Sequence, residues 1–214
     1  MTAIDSSRVR KPRAAPVTDR GELTRATIVD AAIDEIVDVG YAHARIPEIA
    51  RRAGVGYGTF YLYFHSKLDL ARHIMEEAWH DVRRGALLQD SLVPWPVRIR
   101  AGVEHTVDEH GRHARTFRAL WGAAGLDPAL GVTRERLLSE DVAILTATIE
   151  CEAKNGYEPF GEPGVVSLAV NAMCDEVCRR WVLSGCTPSR DQIVGTLVQA
   201  CNLMLLGTPN PALT

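Results

Sequence analysis

Residues 45–70, RIPEIARRAGVGYGTFYLYFHSKLDL, restrict the fold more than any other stretch of the chain. Ile46, Ile49, Ala50 and Ala53 recur at a spacing of three to four, which is one apolar stripe on a short helix. Gly54 follows where the chain needs a residue tolerant of positive φ, and Val55 plugs the corner. A second run, Gly56 to Phe64, sets Phe60 and Phe64 four apart on an inward face. Tyr57 and Tyr61 are four apart on another face, with Gly58 and Thr59 beside them. Two short helices joined at a glycine turn, the second with a small and aromatic outer face, form a helix-turn-helix arrangement. Its second helix fits the major groove, where each base pair presents its own donor and acceptor pattern. Tyr57 and Thr59 are therefore expected to face bases, with the bare backbone of Gly56 and Gly58 beside them. Tyr61, Tyr63, Lys67 and Arg45 are expected on phosphates or sugars.

Ser66 to Asp69 continues the pattern. Ser66 can cap the next helix, and Asp69 stands where a capping box has Glu. The free N–H groups of that helix start, with Lys67 beside them, suit a phosphate.

IARRAGVGYGTFYLYFHSKLDL closely resembles the DNA-binding domain of the TetR family of one-component transcription regulators. The resemblance spans about residues 22–70; beyond residue 75 the match is of architecture alone. It implies a DNA-binding regulator that dimerises through its two C-terminal helices. Two departures stand out. Gly56 occupies the place where the family often caps the recognition helix with Ser or Thr, a slightly weaker cap. Ala44 and Arg45 stand where it often has Thr.

The expected fold is all-α, with about nine helices. The expected division is a basic arm at 1–20, a helix-turn-helix domain at 21–67, a helical ligand-binding and dimerisation domain at 68–207, and a tail at 208–214. The first helix is read at 22–39, with Val29, Ala32, Ile33 and Ile36 inward and Gly40 ending it. A longer helix follows at 66–89, with Leu70, Ile74, Ala78 and Val82 inward. Pro94-Trp95-Pro96 reads as a loop. Helices are expected at about 96–110, 112–124, 128–154, 163–185 and 189–206, with Gly111, Gly125, Gly156 and Gly185 among the breakers.

Net charge is −3, an odd balance for a DNA binder until it is divided. Residues 1–67 hold ten Lys and Arg against eight Asp and Glu, and the remainder holds fourteen against nineteen. Attraction for phosphate is thus confined to one end, where the local field steers association. No apolar stretch reaches membrane-spanning length, no secretory leader is visible, and five scattered cysteines suit free thiols in a reducing cytoplasm.

The segments 163–185 and 189–206 are apolar over a wide arc, so each needs partners on two sides. A second copy of the same pair would supply one side and give a homodimer. Between the ends, His105, Phe117, Trp121 and Trp181, with Leu120, Leu138, Ile144 and Leu145, supply an apolar chamber with polar handles, suited to a small hydrophobic effector, although residues of this kind more often pack an ordinary core. Cys174 and Cys178 lack further ligands at finger-like spacing, so neither metal nor cofactor is expected. His110 and His113 straddle a glycine and read as exposed loop residues. No phosphate loop, nucleophile elbow or His-Glu-x-x-His pattern supports an enzyme. An all-helical protein-binding adaptor is the alternative, and it leaves the tyrosine face unexplained. The reading is a sequence-specific regulator, a homodimer on a palindromic DNA operator, released by a small hydrophobic molecule.

Overall fold

The computed structural model describes residues 19–86 and 92–207. Most of the expected arm, the tail, and the end of the 66–89 helix lie outside them. Nine α-helices and no strand occur among the described residues, and the chain divides into two compact units at Leu70 and Ala71.

The first unit begins with α1 (Asp19–Val39). Its buried face is Ile28, Ala31, Ala32 and Ile36, rotated by about one residue from the expected stripe, so that Val29 and Ile33 are half-buried. Glu35 shares the inward face because Arg52 meets its carboxylate at 2.9 Å. Gly40 ends the helix at φ +79°. Then come α2 (Ile46–Arg52) and α3 (Tyr57–Tyr63). Between them Gly54 takes φ +67°, and Val55 N–H donates back to Ala50 O at 3.0 Å, closing the turn. Phe60 and Phe64 are buried with ring centroids 6.0 Å apart, pinning α3 by one face.

α4 (Lys67–Ala86) begins in the first unit and runs on into the second. Its start is capped reciprocally. Asp69 N–H donates to Ser66 Oγ at 3.0 Å, and the Asp69 carboxylate accepts from His65 N–H at 2.8 Å, one residue earlier than a Glu would reach.

The second unit is completed by α5 (Trp95–Arg112), α6 (Ala114–Leu126), α7 (Pro128–Ala153), α8 (Pro163–Leu183) and α9 (Arg190–Leu206). α7 lies against α8 and α6, and α5 against α9 and α8. The helix starts follow from local chemistry. Pro96, Pro128 and Pro163 sit in first turns, where a missing N–H costs nothing. Asp127 caps α7 by accepting from Ala129 N–H at 3.0 Å. Ser189 and Gln192 form a capping box on α9. Val103, Val107, Ile149, Val182, Leu197 and Val198 are central to the core.

Three expectations fail here. Trp95 is no loop residue; it opens α5 and is buried. Gly111 is no breaker either, since α5 passes through it to Arg112. A Cβ there would lie 3.3 Å from the Trp181 ring, so this glycine answers to close packing. Consequently His110 lies inside a helix and is 3% exposed, where an exposed loop residue was expected.

Candidate functional site

α3 is anchored by its apolar face and leaves the other outward. Tyr57 is 54% and Tyr61 38% exposed; Gly56 and Gly58 are exposed too, and Thr59 and Tyr63 are half-buried. The tyrosine hydroxyls lie 3.0 Å apart, and their rings meet edge to face. That hydrogen bond raises the Tyr61 pKa, keeping the phenol protonated. A Cβ on Gly58 would meet nothing within 4 Å, so nothing inside the unit requires glycine there. The missing side chain leaves a strip of bare backbone flanked by Tyr57 and Thr59. Gly56 is the N-cap of α3 in an ordinary extended conformation, without a side-chain cap.

The basic residues divide. Arg45 is exposed at the N-cap of α2. Arg51 is paired with Glu48 at 2.9 Å, and Arg52 with Glu35 and Asp38. Lys67, expected on a phosphate, is turned inward. Its ammonium donates to Tyr41 O at 2.7 Å, Ala44 O at 3.0 Å and Ala42 O at 3.4 Å, and stands 4.6 Å from the centre of the Tyr41 ring. An ammonium has three protons, and three carbonyls take them. In this geometry Lys67 holds the turn that leads into α2.

The second unit holds a half-open cavity of about 150 Å³. Leu138, Ile144 and Leu145 of the expected chamber line it, together with Trp79, Trp95 and Val103. None of the four residues singled out as ligand contacts lines it. His105 instead bonds Asp81 O at 2.9 Å. Trp181 donates to Pro188 O at 2.8 Å and packs on Gly111. Phe117 and Trp121 stack at 5.0 Å in a row that meets the cavity wall through His110, 4.6 Å from Phe117, and through Trp79, 6.0 Å from it.

The polar lining comes from residues that sequence reasoning missed. Arg83 is fixed by Asp141 at 2.6 Å, Glu140 at 3.0 Å and Leu137 O at 3.1 Å. Trp79 Nε1–H donates to the second Asp141 oxygen at 2.7 Å. Arg98 and Glu152, both buried, pair at 2.5 Å. Arg134 holds Asp175 at 2.5 Å. No local signal sets them apart from the many other charges of α4, α5 and α7.

The Cys174 Sγ lies 3.9 Å from that of Cys201, and burial pushes the Cys178 thiol up to about 12. Among the described residues no His, Cys, Asp and Glu cluster is arranged to hold a metal ion, and no helix is long and apolar enough to cross a membrane.

Comparison with known proteins agrees with this geometry. The model of bacterial regulatory proteins of the tetR family matches residues 28–74, which include the whole of α2 and α3. An uncharacterized HTH-type transcriptional regulator of Mycobacterium tuberculosis is 29% identical over 173 residues, 78% of this chain and 75% of that protein. The HTH-type transcriptional regulator BetI of Escherichia coli is 30% identical over 131 residues, 56% of this chain and 67% of its own length. The crystal structure of the transcriptional regulator FadR from Bacillus subtilis, in complex with stearoyl-CoA, superposes with a TM-score of 0.67 at 19% identity, over 85% of this chain and 98% of that one.

Proposed function

The chain belongs to the TetR family of bacterial transcription regulators, which are DNA-binding proteins and not enzymes, and from that membership we propose that it is a homodimeric repressor of a palindromic operator, released by a small effector in the second unit. α3 enters the major groove. Tyr57 and Thr59 face bases, the backbone of Gly56 and Gly58 lets DNA approach closely, and Tyr61, Tyr63 and Arg45 hold phosphates or sugars. The carrying observation is the outward face of α3, where two tyrosines flank a glycine that no internal contact requires.

Dimerisation is supported by α8 and α9, whose Val165, Leu168 and Leu203 remain more than half exposed on the single chain. Unpartnered apolar side chains on the two helices expected to pair fit a surface covered by a second copy. Effector binding is supported by the cavity, and by a structural relative that was solved with stearoyl-CoA. α4 starts with Lys67 and contributes Trp79, Val82 and Arg83 to the cavity, so one continuous helix serves both units. Release follows where the effector binds better to a form whose two heads are wrongly spaced for the operator.

The test is Gly58→Leu. Replacing an exposed helical glycine should raise the unfolding temperature, by up to about 1 kcal/mol of helix propensity. The added side chain should lower affinity for DNA selected from random duplexes by about tenfold or more. A more stable protein that binds DNA as well as the parent would remove α3 from the interface.

A further inference from the structure

The residue types of α3 narrow what it can read. Its seven residues are YGTFYLY, with no Arg, Lys, Asn, Gln, Asp or Glu among them. The bidentate pairings that single out guanine or adenine in the major groove, and the carboxylate that accepts from cytosine, are therefore absent from this helix. Its geometry picks out one side chain. Phe60 is fully buried and fixes which way is inward. Gly58 and Leu62 stand two positions before and after it, so each is turned from it by about 200°, and together they form the outermost line of α3. Tyr57 and Tyr61 lie to one side of that line. Gly58 has no side chain, and a Cβ there would meet nothing within 4 Å. Leu62 is 57% exposed. A single exposed leucine is common on a protein surface, but this one stands at the crest of the face that the repressor reading turns toward DNA. Hydrocarbon in that place finds one apolar partner on the base edges of the major groove, the C5-methyl group of thymine.

We infer that Leu62 is a specificity residue: its side chain packs on the C5-methyl of a thymine, and the bare backbone at Gly58, one turn earlier, lets the helix come close enough for that contact. Each operator half-site then carries an A·T pair with its thymine toward Leu62. The hydroxyls of Tyr57, Thr59 and Tyr61 can each give or take a hydrogen bond, so they suit more than one base edge. A methyl contact is what Leu62 adds to them. The inference deepens the reading of α3 as the helix in the major groove, and rests on it.

Uracil tests it, because it keeps every hydrogen-bonding group of thymine and lacks only the methyl. Duplexes selected from random DNA by the full chain are resynthesised with deoxyuridine in place of one thymine at a time. At the position that faces Leu62, loss of a buried methyl should weaken binding about fourfold. Leu62→Ala should bind the thymine duplex about fourfold or more weakly, and should hold thymine and uracil equally at that position. Alanine is the better helix former and the site is exposed, so the unfolding temperature should not fall. If Leu62→Ala does not fold, the comparison of thymine with uracil on the unaltered chain decides alone. Equal affinity for thymine and uracil at every position overturns the inference and leaves the repressor reading standing. So does a thymine preference that Leu62→Ala retains at every position. Failure to bind any duplex at low salt sinks the repressor reading, and this one with it.

Discussion

The hydroxyl of Tyr57 lies 3.0 Å from that of Tyr61, one turn along the exposed face of α3. Each phenol has one hydrogen, and the pair spends one between themselves. One O–H therefore remains to donate outward, and the two hydroxyls are presented as a unit. Tyr57→Phe and Tyr61→Phe should each weaken operator binding several-fold. Their double mutant should depart from additivity by about 0.5 kcal/mol or more, as touching residues do. The salt dependence should not change, because no charge is removed. Fluorescence anisotropy across a double-mutant cycle measures both; strict additivity would separate the two hydroxyls.

Lys67 caps three carbonyls of the 41–44 turn. Hydrogen bonds to a charged donor contribute about 1.5–3 kcal/mol when they cannot be replaced. Lys67→Ala should lower the stability of the full chain by about 2 kcal/mol and weaken DNA binding through disorder at the start of α2. Lys67→Arg should fail to rescue, since a planar guanidinium cannot converge on three oxygens as an ammonium does. Full rescue by Arg would return Lys67 to a phosphate role.

Gly111 faces the Trp181 ring, with a hypothetical Cβ at 3.3 Å. That indole is buried and held by its bond to Pro188 O, so it has little room to give. Alanine gains about 1 kcal/mol of helix propensity, while overpacking a core costs about 1–3 kcal/mol. Gly111→Ala should therefore leave the protein less stable by about 1 kcal/mol in urea unfolding, against the usual sign for an alanine placed in a helix.

The DNA-facing half was legible because local chemistry dictates it. Gly54 at positive φ, Phe60 and Phe64 one turn apart, and Ser66 with Asp69 all act within a few residues of one another. The cavity was not legible, because it is made by distant partners. Asp141 meets Arg83 and Glu152 meets Arg98 across 58 and 54 positions of chain, and nothing near either residue announces the match. Aromatic bulk pointed to Phe117, Trp121 and Trp181, and packing consumed them. Gly111 misled for the same reason: a glycine required by a neighbour 70 residues away reads locally as a breaker.

Glu176 gives a pH signature. Its carboxylate accepts from Arg179 at 2.7 Å and Arg180 at 2.5 Å, which lowers its pKa from 4.5 to about 2. A depressed folded-state pKa gives stability that is present above the unfolded value and lost as pH falls through the folded one. Glu176→Gln should therefore lower the unfolding temperature slightly at pH 6, and the difference from the parent should close between about pH 4.5 and 2. The pair is exposed, so the effect is small and should shrink in high salt.

Arg98 and Glu152 join α5 to α7 inside the second unit, both under 10% exposed and 2.5 Å apart. Removing one partner strands a buried charge. Arg98→Leu should cost about 3–5 kcal/mol, far more than a surface pair would. The double replacement Arg98→Leu/Glu152→Leu should recover most of that loss, because two apolar side chains in place of a desolvated pair are often neutral. Arg98 also stands 4.9 Å from the centre of the Trp95 ring and lines the cavity. Urea unfolding of the parent and the two variants measures both. A double mutant as unstable as Arg98→Leu would mean that the cost lies in lost packing and not in a stranded carboxylate.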